Sequence, residues 1–259
     1  MTRGERQRPQ PEPVELNILH EDHAVIVLDK PAGQIVHPTY KNASGTLLNG
    51  VLWRYRDRPD IQPGILTRLD KGTSGVVVVA LTPELHARLQ RGRIDKTYIA
   101  VVHGTPDPPQ GVIALPLGRS DEDRRRVVVR EDGQACETRY EVWIRDSGFG
   151  IRDREFATRG SRFGAAEFSI VHCTPVTGRT HQIRVHLAAL GHPIVGDATY
   201  GTADERIARQ ALHAWRVAFA HPVTREQLLI EAPLPADMLD VSGLQPTTSS
   251  PDRTADRRR

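Results

Sequence analysis

The sequence has 259 residues, of which 38% are hydrophobic, and this is enough to bury the core of one domain or of two closely joined ones. It contains neither an apolar run long enough to span a membrane nor an apolar segment behind its first arginines that could serve as a signal peptide. The two cysteines, Cys136 and Cys173, cannot by themselves form a disulfide framework or a four-ligand zinc site, so we expect a protein of the reducing cytoplasm.

The formal charge of +3 comes from the two ends of the chain. Residues 1–13 and 241–259 together hold seven basic and four acidic side chains, and the other 28 basic residues equal the other 28 acidic ones. Attraction for a phosphate polymer would therefore depend on where the charges lie. Both ends lack apolar periodicity, so we predict disordered tails over 1–13 and 241–259 around one domain over 14–240. The tail arginines could contact RNA nonspecifically or could simply be solvated.

In the first half of the domain, apolar and β-branched runs that end in turn residues predict core strands. These strands are 24–30, 76–80 and 97–102. Leucines and valines at helical spacing predict a helix over 45–55. The segment Thr82-Pro83-Glu84 has the residues expected of an N-cap, of the first helical position and of the first turn, which predicts a second helix over 83–92.

The second half contains short strands separated by charged turns. The predicted strands are 112–115, 127–130, 137–144 and 167–173. Residues 121–126 (DEDRRR) fit a solvated hairpin tip, although three adjacent arginines could also grip a nucleic-acid backbone. Residues 146–162 are polar and glycine-rich, which predicts a long surface loop. Because strands outnumber helices and do not alternate with them regularly, we expect an α+β fold with a mixed, largely antiparallel sheet flanked by helices.

The loop that carries Arg68 and Asp70 precedes the predicted strand 76–80, with Gly72 and Gly75 marking a tight turn. An acid on a loop held by a buried strand is fixed by the scaffold and remains reachable by a substrate, which suits catalysis. The alternative is that Arg68 and Asp70 merely pair to stabilise the turn.

A helix is predicted between Thr180, which could cap it, and Gly191, which suits its C-terminus. At about 100° per residue, His181 and Arg184 fall close together and off the apolar stripe, so we expect them on a face that the helix does not need for packing. His181 and His186 are five residues apart and do not share a face, which argues against a metal pair.

Ordered motifs over roughly residues 16–236 resemble those of the RluA-type pseudouridine synthases. They are Asp29-Lys30-Pro31-Ala32-Gly33, Leu66 to Asp70 (LTRLD), Thr73-Ser74-Gly75, Lys96 to Ala100 (KTYIA), Gly178 to Leu187 (GRTHQIRVHL), Gly191 to Asp197 (GHPIVGD), Tyr200-Gly201 and Leu212-His213-Ala214. Any one of them would be a weak signal, whereas their shared order is specific. No S4-type RNA-binding module fits before Leu16, so we expect a single-domain member.

The resemblance implies isomerisation of uridine in structured RNA, either tRNA or rRNA. In this reaction the bond from C1′ to N1 breaks, the base turns, and C5 joins the same sugar carbon. Asp70 matches the catalytic aspartate, Arg184 the arginine that pairs with it, and Tyr98 a tyrosine beneath the base. Arg68 matches the residue that fills the gap left by the extruded base.

The residues assigned by resemblance to substrate binding are Arg68, Thr73, Arg179 and His181. His181, Asp197 and His213 are of a kind that commonly bonds the backbone around a site, so they stay outside the catalytic set. The reaction has no redox or hydrolytic step, so no cofactor and no metal are expected. We further expect a monomer.

Two departures from the family pattern concern Thr67, which stands where the family usually has His, and residues 146–165, which are longer than usual. Thr67 can still bond to the backbone, which predicts adjusted rather than lost activity.

Two other functions stay open: a non-catalytic RNA-binding or chaperone protein, and a hydrolytic glycosylase, which would usually need a further acid. Asp70 itself could act as a nucleophile or as a base.

Overall fold

The computed structural model describes residues 9–40, 42–145, 156–158 and 168–246. The strands are β1 (Asn17–Glu21), β2 (Val25–Lys30), β3 (Gly64–Ile65), β4 (Ser74–Ala80), β5 (Ile94–His103), β6 (Gln110–Ile113), β7 (Leu117–Arg119), β8 (Val127–Val129), β9 (Thr138–Arg145), β10 (Phe156–Thr158), β11 (Phe168–Pro175), β12 (Leu212–Ala220), β13 (Gln227–Glu231) and β14 (Leu244–Pro246). The helices are α1 (Leu47–Arg54), α2 (Pro83–Arg91), α3 (Gln182–Ala189) and α4 (Ala236–Ser242).

Ten strands form one sheet in the order β1-β2-β4-β12-β5-β11-β9-β6, with β13 beside β12 and β3 beside β4. Among the described strand pairs of this sheet, β4 and β12 run parallel and the others antiparallel. The predicted α+β class, with a mixed and largely antiparallel sheet, is confirmed. None of the described helices is long and apolar enough to cross a membrane.

Strand β4 separates two parts of the core because its side chains alternate between the two faces of the sheet. Val77 and Val79 pack in a cluster with Leu47 and Val51 of α1. The intervening valines of β4 belong to a second cluster, which includes Leu89 of α2. An unbroken β-branched run therefore suits this strand, which is buried from end to end.

Gly75 permits the close approach of β4 to β12. Its φ of +109° is a conformation that L side chains rarely adopt, and a Cβ there would lie 2.2 Å from the carbonyl oxygen of Ala214. The parallel pairing of Gly75 with Ala214 thus requires glycine. The sequence analysis assigned Gly75 to the turn, whereas the structure has it inside β4.

Helix α2 begins as predicted, since the Thr82 side chain accepts a hydrogen bond from the Leu85 N–H and Pro83 is the first helical residue. The predicted hairpin around residues 121–126 is also confirmed, as β7 and β8 pair antiparallel on either side of it. The strand predicted over 112–115 lies two residues earlier, as β6. No strand was predicted at β1, β3, β7, β10, β12, β13 or β14, and no helix was predicted at α4.

The ordered chain extends past both predicted domain boundaries. At the N-terminal side, the Glu12 N–H donates to the Asn49 carbonyl at 3.1 Å and the Glu12 carboxylate accepts from the Gly45 N–H. At the other side, α4 ends at Ser242 and β14 pairs with β10. The loop predicted over 146–162 lies outside the described residues apart from β10, as do residues 1–8 and 247–259.

Candidate active site

A cleft of about 530 Å³ opens beside the loop between β3 and β4. All seven residues that the sequence analysis assigned to the site line it. They are Arg68, Asp70, Thr73, Tyr98, Arg179, His181 and Arg184. These residues come from the β3–β4 loop, from β5, and from the segment that leads into and forms α3, so the sheet order brings three distant parts of the chain together.

The Asp70 loop is held from below by buried side chains. Lys30 is fully buried, and its Nζ donates to the carbonyl oxygens of Pro31, Gln34 and Lys71 at 2.8, 2.9 and 3.3 Å. Burial lowers the pKa of Lys30 to about 8. The ammonium thus joins the end of β2 to the residue directly after Asp70.

A second anchor lies at the other end of the same loop. Arg209 donates to the carbonyl oxygen of Gly72 at 3.2 Å and binds the Asp237 carboxylate through two of its nitrogens, at 2.7 and 2.8 Å. The Gln210 amide donates to the Thr73 hydroxyl at 3.1 Å. Thr73, one of the predicted substrate-binding residues, is therefore buried and bound by the protein itself.

The Arg184 guanidinium is shared between two carboxylates. Its Nε and Nη2 donate to Asp197 at 2.7 and 2.8 Å, and its Nη1 donates to Asp70 Oδ2 at 3.0 Å. The sequence analysis expected Arg184 on a face not needed for packing, and this was wrong, because Arg184 is 7% exposed. An arginine that compensates a buried acid has to be buried with it.

Burial opposes the charged forms of Arg184 and Asp197, and the attraction between opposite charges in this ion triad outweighs it for both groups. Hydrogen bonds and charge from Arg184 hold the pKa of Asp197 below its ordinary value despite burial. Burial likewise acts against the Arg184 cation, yet Asp197 and Asp70 raise its pKa. The Asp70 side chain differs from Asp197 in being 26% exposed, so its carboxylate can meet a molecule in the cleft.

His181 precedes α3 in a left-handed conformation, with φ of 55° and ψ of 14°. It is the N-cap residue, so the prediction that Thr180 caps the helix was wrong. Its side chain makes no cap hydrogen bond and lies instead between Asp70, with Nε2 3.8 Å from Oδ2, and Tyr200, with Nδ1 2.7 Å from Oη. The predicted proximity of His181 and Arg184 is confirmed, since both contact Asp70.

Tyr98 forms part of the floor of the cleft. It lies on β5 between Cys173 of β11 and Ala214 of β12, and it is 8% exposed. Burial raises the pKa of Tyr98, and the nearby Asp70 charge adds to this effect. The phenol therefore stays protonated throughout the physiological pH range.

Arg68 and Arg179 are exposed at the rim of the cleft. Thr67, next to Arg68, is buried, and its hydroxyl accepts a hydrogen bond from the Val78 N–H at 2.9 Å. The prediction that Thr67 bonds to the backbone is thus confirmed.

A second cleft, of about 770 Å³, adjoins the first and shares its rim. Arg68, Arg179 and His181 line both clefts. The other arginines of the second cleft are Arg119, Arg124, Arg125 and Arg130, all from the β7–β8 hairpin or the residue that follows it. This clustering supplies locally the positive charge that the overall composition of the domain lacks.

The anchoring residues of the site were missed as such by sequence reasoning. Lys30, Asp197 and Tyr200 lie inside motifs that the sequence analysis recognised, but it gave them no anchoring role. The position of Lys30 at the end of an apolar strand could have indicated that role. Arg209 and Gln210 carried no local signal, because their partners lie 137 residues earlier in the chain.

His186 of α3 lies against Thr138 and the carbonyl oxygen of Leu115, at 2.9 Å from each. Over the described ranges of the chain, no group of three or more His, Cys, Asp or Glu side chains could hold a metal ion.

Comparisons with known proteins agree on one family. A profile of the family described as RNA pseudouridylate synthase matches residues 24–189. Ribosomal large subunit pseudouridine synthase D of Nitrosomonas europaea is 40% identical over 246 residues, which is 90% of this chain and 66% of that protein. The uncharacterized RNA pseudouridine synthase YlyB of Bacillus subtilis is 39% identical, over 89% of this chain and 73% of that one.

Among solved structures, human RNA pseudouridylate synthase domain containing 1 superposes with a TM-score of 0.64 at 25% identity. The match covers 86% of this chain and 84% of that one. The chain spans about two thirds of the length of the Nitrosomonas protein, so that relative contains further sequence beyond the matched part.

Proposed function

The chain belongs to the family of RNA pseudouridine synthases, isomerases that convert uridine in RNA to pseudouridine, and from this premise we propose Asp70 as its catalytic carboxylate. The observation that carries the proposal is the environment of Asp70. It is the partly exposed member of a triad whose other members, Arg184 and Asp197, are buried. A carboxylate that is hydrogen-bonded to an adjacent guanidinium and open to a cleft can attack a substrate carbon or accept a proton.

Arg68 and Tyr98 are proposed to handle the base. The uridine has to leave the helical stack, and the exposed Arg68 guanidinium at the cleft rim can occupy the gap that it leaves. Tyr98 would pack against the extruded base, since a buried phenol with a raised pKa is a poor base but a good apolar surface. Arg179 and His181, on the other wall, would contact the sugar and its phosphates.

The substrate that we propose is structured RNA, with large-subunit ribosomal RNA ahead of tRNA. The arginines of the second cleft support RNA in general, because they extend the positive charge outward from Asp70. The name of the Nitrosomonas relative supports ribosomal RNA in particular.

We also propose that the protein acts as a cytoplasmic monomer, and that its catalytic domain comprises the predicted residues 14–240 together with the flanking residues that contact them. Both cysteines are free and buried, which suits a reducing compartment, and all the site residues come from one chain. Size-exclusion chromatography with light scattering should give a mass close to the 28.8 kDa of the chain.

The test is to map pseudouridine at nucleotide resolution in total RNA from cells with and without this gene. The gene-less cells are complemented with the wild-type protein or with Asp70→Asn. Sites that vanish and return only with the wild type would establish the substrate and the role of Asp70 together. Sites restored by Asp70→Asn would refute the role of Asp70. If no site changes, the result favours the alternative that the protein is a non-catalytic RNA-binding or chaperone protein.

A further inference from the structure

Tyr200 connects the β7–β8 hairpin to the neighbourhood of Asp70. Its hydroxyl oxygen accepts a hydrogen bond from the Val127 N–H, the first residue of β8, at 3.0 Å. The same oxygen lies 2.7 Å from His181 Nδ1, and His181 Nε2 lies 3.8 Å from Asp70 Oδ2. A continuous polar path thus runs from the hairpin backbone to the carboxylate.

The direction of the hydrogen bonds along this path follows from what each group can do. The Val127 N–H can only donate, so it occupies a lone pair of the Tyr200 oxygen. If the phenol donates its own proton to His181 Nδ1, the Val127 N–H, the Tyr200 hydroxyl and His181 Nδ1 are all hydrogen-bonded, and His181 Nε2 faces Asp70 at 3.8 Å, beyond hydrogen-bond distance. A neutral His181 then carries its proton on Nε2.

The opposite tautomer would be unfavourable at both ends of the imidazole. A proton on Nδ1 would leave the half-buried Tyr200 hydroxyl proton without this acceptor. It would also turn the Nε2 lone pair towards the negative charge of Asp70. Both effects favour the tautomer with Nε2–H directed at Asp70.

The charged groups around His181 are Asp70, Arg184 and Asp197. Burial lowers the pKa of His181, and Arg184 adds to this, while Asp70 and Asp197 act in the opposite direction. The net effect is a pKa below the ordinary value, so the imidazole is neutral at pH 7 and its tautomer is the relevant variable. The Arg184 guanidinium carbon also lies 5.0 Å from the centre of the Tyr200 ring.

We propose that Tyr200 is a positioning residue, which fixes His181 in the Nε2–H tautomer. Through His181 it sets the orientation of the Asp70 carboxylate, so this orientation depends on where the β7–β8 hairpin packs. The proposal rests on the proposed role of Asp70. Two further contacts tie the hairpin to Tyr200. The Arg126 side chain donates to the carbonyl oxygen of Thr199 at 2.6 Å, and its guanidinium carbon lies 5.7 Å from the Tyr200 ring centre.

The tautomer can be observed directly, without any assay of activity. In the wild-type protein labelled with ¹⁵N-histidine, the His181 signals, assigned by their absence in His181→Gln, should show a protonated Nε2 and an unprotonated Nδ1 at pH 7. In Tyr200→Phe they should shift towards a mixture of the two tautomers. A protonated Nδ1 in the wild type would overturn the proposal, whatever the role of Asp70.

The kinetic arm uses a large-subunit ribosomal RNA transcript labelled with tritium at uridine C5, since that tritium is released when C5 joins C1′. Tyr200→Phe should lower the single-turnover rate about tenfold with unchanged affinity for the transcript, because a displaced catalytic group slows the chemical step. The acid limb of its pH–rate profile should move to higher pH, because the lost hydrogen bond stabilised neutral His181. A rate within twofold of the wild type would overturn the proposal.

Two controls separate positioning from stability. Tyr140→Phe removes a similar hydrogen bond, from a tyrosine hydroxyl to the carbonyl oxygen of Pro108 at 3.1 Å, and should leave the rate unchanged. In a double-mutant cycle, Tyr200→Phe should have no further effect on the rate of His181→Gln, because Tyr200 acts through His181. Additive effects would refute that route. If the wild-type protein does not modify the transcript but its NMR spectra show the Nε2–H tautomer of His181, the result counts against the proposed substrate and not against the positioning role of Tyr200.

Discussion

The Asp70 loop and the β7–β8 hairpin border adjoining clefts and are held in different ways. The Asp70 loop is fixed by polar side chains from two other parts of the chain, namely Lys30 and the adjacent residues Arg209 and Gln210. The ion pairs of the hairpin are exposed and local, as between Arg125 and Asp123. A reacting carboxylate has to be positioned within a fraction of an ångström, whereas phosphate contacts tolerate adjustment. The contrast predicts that changes at the Asp70 loop affect chemistry and stability and that changes at the exposed arginines of the hairpin affect affinity.

The largest effect is expected at the reacting group itself. Asp70→Asn is nearly isosteric but cannot supply a carboxylate, so tritium release should fall by at least about 10³-fold. Filter binding should show an unchanged affinity for the RNA. A folded variant that loses binding and activity together would contradict the assigned role.

The triad should be the next most sensitive feature. Arg184→Ala strands the buried Asp197 carboxylate, so the free energy of unfolding should fall by about 3–5 kcal/mol and the rate should fall as well. Arg179→Ala removes an exposed arginine from the same motif and is the matched control, with no expected change in stability. Urea unfolding of both variants measures the difference. Equal stability of the two would show that Arg184 is not needed to compensate Asp197.

Lys30, which anchors the Asp70 loop, should make the free energy of unfolding depend on pH. Its pKa is about 8 in the folded protein and ordinarily 10.5, so between these values the unfolded chain binds more protons and Lys30 makes stability rise with pH. The slope should approach about 1.4 kcal/mol per pH unit in that window and should be absent in Lys30→Met. Lys71→Met, at an exposed position of the same loop, should keep the slope of the wild type. Parallel stability curves for the wild type and Lys30→Met would contradict this.

The smallest effect is expected at the hairpin. Arg124→Ala should weaken RNA binding a few-fold and reduce the slope of log affinity against log salt by about 1, with unchanged melting and single-turnover rate. Arg88→Ala, on the exposed face of α2, is the control and should alter neither. A fall in the single-turnover rate of Arg124→Ala would show that the hairpin contributes to chemistry directly.

Local patterns in the sequence were sufficient for several elements. The N-cap of α2 was predicted because Thr82 and Pro83 act on their own helix within one turn. Strand β4 was predicted because its β-branched run needs no knowledge of its neighbours. The N-cap of α3 was wrongly predicted at Thr180. His181 is the N-cap instead, and the contacts of its side chain with Asp70 and Tyr200, which are distant in sequence, determine the backbone conformation at this point.

The sequence by itself determined the α+β class, seven of the 14 described strands, three of the four described helices, and the family, because hydrophobic periodicity, capping residues and the order of motifs are properties of the linear chain. It also identified seven of the residues that line the cleft. The resemblance already paired Arg184 with Asp70, and only the tertiary structure showed that Arg184 is shared with Asp197 and that Lys30 and Arg209 anchor the Asp70 loop. Arg184 meets Asp70 across 114 residues of chain, and Lys30 meets the Lys71 carbonyl across 41. Such pairings depend on the order of strands in the sheet and on burial, which turns a charge without a partner into a large energetic cost.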